Sequence, residues 1–377
     1  MILVTSFARH LALAFAVLAV TASGAYAENG KVADDIAHFI AGIPPSADSP
    51  LAALTSDAEW KRHEQFFKTS WKEFEDRNLS KVRAWSTENV KQPDSVLYYM
   101  FSGPDVLYAD AFFPNATTII MSGLEQTGPI PQVADIHSRY IGSELGGIRA
   151  SLGNLLKHGY FITSEMGSQL SHSRLDGTIP VIYLFLARSG KTIRDVSLIA
   201  LDKEGKVHAQ DEAGIPNNAR GVKIVYAGND GKERTLYYFR TDLSDKGVAA
   251  TGFMQFCQGF GAGDSLVKSA SYLLHTPGFS TVRDFLLKNS TALLQDDTGI
   301  PVKYLIDANW QIHPYGTYMH PIQQFWHADQ PRLWDIYKKE RPAPLDFSVS
   351  YHWGKPSNLL FALKANAAGS EVRSKQD

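Results

Sequence analysis

The fold is decided by residues 96–125, which read VLYYMFSGPDVLYADAFFPNATTIIMSGLE. They open with a near-continuous apolar run, 96–101, which is typical of a strand buried on both faces. A Gly-Pro turn and a short helical segment up to Phe113 follow, and a second strand is predicted at 117–121. The gap between the strands has room for the crossover of about a dozen residues that parallel pairing requires. This stretch therefore predicts a β-α-β unit, which is how α/β sheets begin.

The chain beyond this unit combines helical and hairpin patterns. Apolar residues recur at helical spacing between Val133 and Leu155, which predicts one long amphipathic helix. Residues 193–201 are strand-like, and two further strand-like runs, 222–227 and 235–239, flank an Asn-Asp-Gly turn. We therefore predict an α/β or α+β fold. Its mixed sheet starts with a parallel βαβ unit, continues with antiparallel hairpins in the middle and has flanking helices.

Upstream of the βαβ unit the pattern is helical. A first short helix is predicted from apolar side chains at helical spacing, which are Ile36, Phe39, Ile40 and Ile43. Ser56 and Glu59 have the spacing of a capping box, which makes Ser56 the expected N-cap of the next helix. That helix carries four aromatic side chains on one face, which we expect to face the core: Trp60, Phe67, Trp71 and Phe74.

The C-terminal third is predicted to alternate between helices and strands. Helices are expected at 265–275, at 280–288 with Ser280 as N-cap, and at 331–340. Residues 347–353, which read FSVSYHW, are expected to form a late strand.

The first 27 residues have the layout of a secretory signal peptide. Arg9 precedes an apolar run, 11–20, that is too short to span a bilayer, and Ala25-Tyr26-Ala27 has the form of a cleavage site. We expect cleavage after Ala27 and a soluble mature protein that is periplasmic or secreted. The rest of the chain is expected to divide into a helical N-terminal segment (28–92), a mixed α/β domain (93–365) and a disordered tail (366–377).

The composition is that of an ordinary globular protein, with 44% hydrophobic and 20% charged residues in a chain of 377. A formal net charge of −2 argues against a nucleic-acid or anionic-membrane partner, which would require a basic patch. No later segment is predicted to span a membrane. Cys257 is the only cysteine, so an intrachain disulfide is excluded and we expect a small buried side chain there.

Ser102, Asp105 and Glu125 form the strongest candidate site. Ser102 and Glu125 each follow a predicted parallel strand, and ligands of open α/β sheets bind at the carboxyl ends of the strands. Pro104 suits the first helical position, which places Asp105 in the positive first turn and leaves no room for a phosphate there. A sugar hydroxyl or an amine fits better, and two convergent carboxylates could divide acid and base roles. The alternative is a plain capped turn beside a surface glutamate.

Asp296 and Asp297 form the second candidate, because they precede a glycine and a proline at the end of a predicted strand. Adjacent acids in this position commonly cap a turn. They could also hold a ligand or a cation. Since neighbouring side chains of a strand diverge, we expect only one of the two to face a pocket.

The third candidate is the aromatic stretch 310–321, in which tryptophan and tyrosine rings could stack on sugars or simply pack in the core. Its histidines lack the H-E-x-x-H spacing or a comparable one, so we predict no metal site. Ser265 and Lys268 have the S-x-x-K spacing of serine acyl-enzymes, but the partner motifs of those enzymes are missing.

Two functions fit these patterns. The first is an exported enzyme that acts on a polar glycan or small metabolite by carboxylate acid–base chemistry. Its expected catalytic residues are Asp105, Glu125, Asp297 and His320, and its expected ligand-binding residues are Ser102, Asp296, Trp310, Tyr315 and Tyr318. The alternative is a non-catalytic periplasmic ligand-binding or accessory protein. A G-x-G-x-x-G motif is absent and we expect no cofactor. The enzyme hypothesis predicts that Asp105→Asn and Glu125→Gln each abolish turnover and leave the melting temperature nearly unchanged.

Overall fold

One mixed sheet of ten strands organises the part of the chain that the structure describes. The structure is a computed structural model that describes residues 29–91, 93, 95–160, 163–170, 173–212, 219–349, 351 and 356–364. The strands are β1 (Val96–Tyr99), β2 (Thr118–Gly123), β3 (Thr192–Leu201), β4 (Val207–Ala209), β5 (Arg220–Ala227), β6 (Glu233–Arg240), β7 (Gly263–Val267), β8 (Ser290–Gln295), β9 (Gln311–Gly316) and β10 (Asn358–Leu363).

The strands follow the order β4-β3-β5-β6-β2-β1-β7-β8-β10-β9 across the sheet. The central strands β6, β2, β1, β7 and β8 are parallel to their neighbours within this group. Val96 pairs with Thr118 in the register of β1 and β2. Both sides of this parallel centre are extended by antiparallel strands, β5, β3 and β4 on one side and β10 and β9 on the other.

Helices cover both faces of the sheet. They are α1 (29–40), α2 (Ala58–Phe66), α3 (Lys72–Phe74), α4 (Ser80–Asn89), α5 (Val106–Phe112), α6 (Ile141–Ser151), α7 (Gly153–His158), α8 (Thr163–Leu170), α9 (Ile179–Arg188), α10 (Asp245–Ala249), α11 (Phe253–Gly259), α12 (Ser280–Asn289), α13 (Val302–Asp307) and α14 (Pro331–Glu340). The π-helical segments Phe67–Trp71 and Glu75–Leu79 join α2, α3 and α4.

The alternation of side chains along the buried strands divides the core into two layers. Leu97 and Tyr99 of β1 belong to the layer that contains α1 to α9. Tyr98, from the same strand, belongs to the layer that contains α10 to α13, and its ring lies 5.0 Å from that of Phe285 in α12. The central strands are therefore buried on both faces, which explains their near-continuous apolar sequence.

The predicted fold class is confirmed, including the parallel β1–β2 pair around α5 and the antiparallel β5–β6 hairpin. The helix predicted at 331–340 is α14. The N-terminal aromatic residues are buried, as expected from their spacing, namely Trp60, Phe67, Trp71 and Phe74. Cys257 is also buried, as expected. The predicted signal peptide and the predicted tail lie outside the described residues.

The N-cap of α2 is Asp57 and not Ser56. The Asp57 carboxylate accepts a hydrogen bond of 2.7 Å from the Glu59 amide, whereas the Ser56 hydroxyl donates to the Ala53 carbonyl of the preceding 3-10 turn. Ser56 is thus still part of that turn, and the helix starts one residue later than predicted.

The long helix predicted between Val133 and Leu155 is wrong, because this region is a 3-10 turn (Val133–Asp135) followed by α6 and α7. The Asp135 carboxylate accepts a hydrogen bond from the Gln132 amide, which closes the turn. Ile136 then adopts an extended conformation before the chain becomes helical again.

The helix predicted at 265–275 is wrong, because its first residues belong to β7 and only Leu273–His275 form a 3-10 turn. Asp264 in β7 accepts hydrogen bonds from Ser95 and Thr291, side chains that adjoin the neighbouring strands. These hydrogen bonds satisfy the buried Asp264 carboxylate, so the segment can form a buried strand although it lacks a continuous apolar run.

The late strand was placed too early in the sequence. Residues 347–349 are not in a strand, residues 350 and 352–355 lie outside the described residues, and the last strand is β10. β10 lies between β8 and β9, where its apolar residues are buried.

Candidate functional site

A cavity of about 880 Å³ opens at the carboxyl ends of β1, β2, β6 and β7. The helix that links β1 to β2 and the helices between β6 and β7 lie on opposite faces of the sheet. A crevice forms at the carboxyl edge of a parallel sheet where the connections diverge in this way, and such crevices are the usual ligand sites of α/β proteins. The volume is in the range of small-molecule sites, which is about 300–1,000 Å³.

Asp105 and Lys268 form a buried ion pair at this cavity. The Lys268 Nζ lies 3.2 Å from Asp105 Oδ2, and each side chain is only 3% exposed. Tyr99 donates a hydrogen bond of 2.7 Å to the same oxygen, and the Tyr108 amide donates to Oδ1 at 3.2 Å. The ammonium also lies 4.2 Å from the centre of the Tyr108 ring. The carboxylate therefore serves at once as the N-cap of α5 and as the counter-charge of Lys268.

Burial sets the protonation behaviour of this group of side chains. It raises the pKa of Asp105, and the Lys268 ammonium opposes that change. Burial also raises the pKa of Tyr99, which keeps its hydroxyl protonated and able to donate.

Glu125 follows β2 and lies on the cavity wall close to the turn that contains Ser102 and Asp105. A side-chain carbon built on Gly123 would lie 2.4 Å from Glu125 Oε2 and 3.1 Å from the Cα of Gly103. The Tyr238 hydroxyl donates to the Glu125 backbone carbonyl at 2.8 Å. The structure thus brings Ser102, Asp105 and Glu125 to one cavity, where all three are lining residues.

Ser102 contributes its side chain to the turn itself, because its hydroxyl donates to the Gly103 carbonyl at 2.9 Å. The turn occupies the position between β1 and α5 that the sequence predicts. Gly103 has a φ of +53°, a left-handed conformation that favours glycine.

Strained backbone is concentrated around the cavity. Four of the six described non-glycine residues with positive φ are Phe101, Ser269, Ser271 and Tyr272, with φ between +52° and +62°. The first three line the cavity. Left-handed conformations cost an ordinary residue of the order of 1–3 kcal/mol, and they cluster at sites where function requires a particular backbone.

Asp296 and Asp297 support the loop after β7 and are not cavity-lining residues. Asp296 accepts a hydrogen bond from the Ser269 amide at 2.9 Å, and burial raises its pKa. Asp297 accepts from the Tyr272 hydroxyl at 2.5 Å and from Asn358 at 2.8 Å. The two carboxylates therefore hold the strained loop against β8 and β10, which departs from the expectation that one of them faces a pocket.

The aromatic stretch expected to bind a ligand lies away from the cavity. Trp310 is buried, and Tyr315 packs with its ring 4.9 Å from that of Trp85. The Tyr318 hydroxyl donates to Asp329 at 3.2 Å, and His320 Nδ1 lies 2.9 Å from the same carboxylate. Tyr318 and His320 therefore contact Asp329 and do not line the cavity. Of the described residues after them, Ile322, Gln324 and Phe325 are lining residues.

Ser265 and Lys268 have different partners. Ser265 is buried in β7 and shares a hydrogen bond of 2.6 Å with Ser290, whereas Lys268 follows the strand and turns into the cavity. Lys268 is not predicted as a site residue from the sequence, because the pattern of 265–275 favours a helix over a strand end at this position. A strand assignment for 263–267 would have placed Lys268 at a carboxyl end beside Asp105.

Within the described part of the chain, no group of three or more His, Cys, Asp or Glu side chains is arranged to hold a metal ion. Among the same residues, no helix has the length and apolar character needed to cross a membrane.

Comparison with protein-family models gives no match, and a search of curated proteins finds none with significant similarity.

Proposed function

We propose that this cavity is the active site of an enzyme that acts on a small polar substrate by proton transfer. The observation that carries the proposal is the buried Asp105–Lys268 pair opening on a ligand-sized cavity. A buried ion pair contributes little net stability, because removing two charges from water costs about as much as their attraction returns. Its presence, together with the strained backbone around it, supports a functional role.

The contacts suggest different roles for the charged side chains. Both oxygens of Asp105 already accept hydrogen bonds from the protein, so its role is to hold Lys268 in place. Lys268 can then donate a hydrogen bond to a group on the substrate that gains negative charge. Glu125 is the half-buried carboxylate that can accept a proton from the substrate and return it.

Substitution of Glu125 tests this assignment. Glu125→Gln should lower the rate of product formation by about 10²–10⁴-fold, the usual contribution of a general base. The assay incubates catalytic amounts of protein with a mixture of polar metabolites and envelope glycans and follows new masses over time.

Glu73→Gln is the matched control, because Glu73 is an exposed glutamate of α3 that does not line the cavity. It should leave the rate unchanged. Equal rates in Glu125→Gln and Glu73→Gln would remove Glu125 from the mechanism.

A non-catalytic ligand-binding protein is the alternative. It is favoured by the engagement of both Asp105 oxygens, which leaves Asp105 unable to act as the acid or base partner of Glu125. Both oxygens of Asp242, the third lining carboxylate, also accept hydrogen bonds from the protein, in this case from Ser244. A compound that is released only after denaturation, with no product at any time, would support this alternative.

We also propose export, on the basis of residues 1–27 alone. Intact-mass measurement of the protein recovered from its source cells should give a chain that begins at Glu28. A mass that includes residues 1–27 would contradict this.

A further inference from the structure

We propose that the ligand of this cavity is an organic amine in its protonated form, with an apolar body. The inference rests on the proposed function only in taking the cavity as the ligand site. Three features of the wall lead to it: the direction of its hydroxyl protons, its charge and its aromatic rings.

The hydroxyl groups around the cavity offer acceptors to a ligand. Ser269 donates to the Val349 carbonyl at 3.1 Å, and Tyr351 donates to the Ser269 carbonyl at 2.6 Å. Because a hydroxyl has one proton, the 2.8 Å contact between Ser271 and Tyr351 must use the proton of Ser271. Tyr99 likewise donates to Asp105. These oxygens can still accept hydrogen bonds through their lone pairs, so the wall suits a ligand that donates hydrogen bonds.

The charge of the wall selects a cation among such donors. The described lining residues include three carboxylates, from Asp105, Glu125 and Asp242, and one ammonium, from Lys268. Lys268 is neutralised by Asp105, which leaves the negative charges of Glu125 and Asp242 without a cation among the described lining residues. Glu125 is half-buried, whereas Asp242 is exposed and accepts hydrogen bonds from the amide and the hydroxyl of Ser244. Arg240 is an exposed residue whose Nε donates to the Leu124 carbonyl, and it is not a lining residue.

Among the described lining residues, the one cation is Lys268, which is already paired with Asp105, so an anionic ligand would find no unpaired positive charge. The N-terminus of α5, which would otherwise attract negative charge, is already occupied by the Asp105 carboxylate. A phosphate or carboxylate ligand would therefore meet net repulsion.

Aromatic rings supply the remaining part of the wall. Tyr160 and Tyr351 lie with ring centres 5.1 Å apart, and Phe325 packs 5.7 Å from Tyr351. Phe101 and Phe279 form a second pair at 5.9 Å. Ring faces attract an ammonium group and also pack against an apolar body, so both parts of the proposed ligand have a partner.

Three probes that differ only in the head group test the inference. They are 4-phenylbutylamine, 4-phenylbutanol and 4-phenylbutyrate, each titrated into the mature protein by calorimetry. The amine should bind at least about tenfold tighter than the alcohol, which corresponds to one favourable charged contact, and the carboxylate should bind more weakly than the alcohol.

Variants of Glu125 and Asp242, the two lining carboxylates other than Asp105, test the role of charge. Glu125→Gln and Asp242→Asn should each weaken binding of the amine and leave binding of the alcohol within about twofold, whereas Glu73→Gln should change neither. Equal affinity for amine and alcohol, or no binding of the amine, would overturn the inference. If products form from uncharged molecules and their formation depends on Glu125, the proposed function stands even where the inference of an amine ligand fails. Selective binding of the amine with no product in any mixture would support the inferred ligand class and contradict the proposed enzymatic function.

Discussion

Asp105 and Lys268 are buried together, so each depends on the other for a stable environment. Asp105→Asn should lower the free energy of unfolding by about 3–5 kcal/mol, because it leaves an ammonium buried without a counter-charge. This differs from the expectation drawn from sequence, that the melting temperature would hardly change. Urea unfolding of the variant and the wild type measures the difference.

Lys268→Met supplies the control for this pair. Its loss of stability should be smaller, because Asp105 retains its donors from Tyr99 and Tyr108 and can take up a proton. The double variant should then lose less than the sum of the two single changes, with a coupling of about 1–3 kcal/mol. Strict additivity would show that the two groups do not interact.

His63 should make stability depend on pH. Burial lowers its pKa from 6.5 to about 4. The ring lies 2.7 Å from the Ile40 carbonyl and 3.2 Å from Arg149, so a neutral ring with its proton on Nε2 can satisfy both contacts. Since the folded state resists protonation, this stabilisation is complete above pH 6.5 and is lost as the pH falls towards 4.

The measurement for His63 is the free energy of unfolding between pH 6.5 and 4. The wild type should lose about 3 kcal/mol more than His63→Gln over this range. His137→Gln, which changes an exposed histidine, should follow the wild type. Parallel curves for wild type and His63→Gln would contradict the assignment.

Part of the candidate site can be predicted from the sequence, because the end of an apolar strand can be recognised there. Ser102 and Glu125 follow apolar strands, so their meeting at one edge could be predicted without coordinates. The position of Lys268 at a strand end could not be predicted, because β7 contains polar residues and its sequence pattern favours a helix. Asp297 was predicted from its position at a strand end and His320 from its place in an aromatic stretch. Their contacts with Asn358 and Asp329 are not readable from those local patterns.

Two substitutions can test whether Asp57 or Ser56 is the N-cap of α2. Asp57→Ala should lower the free energy of unfolding by about 1 kcal/mol, because it removes the side chain that accepts from the Glu59 amide. Ser56→Ala should have almost no effect, since the Ser56 hydroxyl bonds only to the preceding turn. A larger loss in Ser56→Ala than in Asp57→Ala would restore the original prediction.

Elements with strong local patterns were predictable, and elements defined by distant partners were not. The β5–β6 hairpin and α14 depend on a turn motif and on helical spacing, both of which lie within the element. β7 is a strand because it pairs with β1 and β8. No local pattern contains that information, and the polar residues of β7 are satisfied by those same neighbours.

At the scale of the whole molecule, the site follows from the topology of the sheet. Four parallel strands, β6, β2, β1 and β7, end at one edge, and the loops that follow them line the cavity. The sequence predicts the first β-α-β unit but not that β7, far along the chain, lies beside β1. This long-range pairing is what brings Lys268 to Asp105, so the central ion pair could be found only from the structure.

The proposed function requires that the protein turns over a substrate in this cavity. Its most direct test is the number of product molecules formed per protein molecule, measured by mass spectrometry in the same substrate mixture for the wild type and Glu125→Gln. We expect the ratio to exceed one and to grow with time for the wild type, and to stay at background for Glu125→Gln. A ratio that never exceeds one in the wild type would exclude an enzyme, and a ratio that grows equally in both proteins would exclude Glu125 as its catalytic residue.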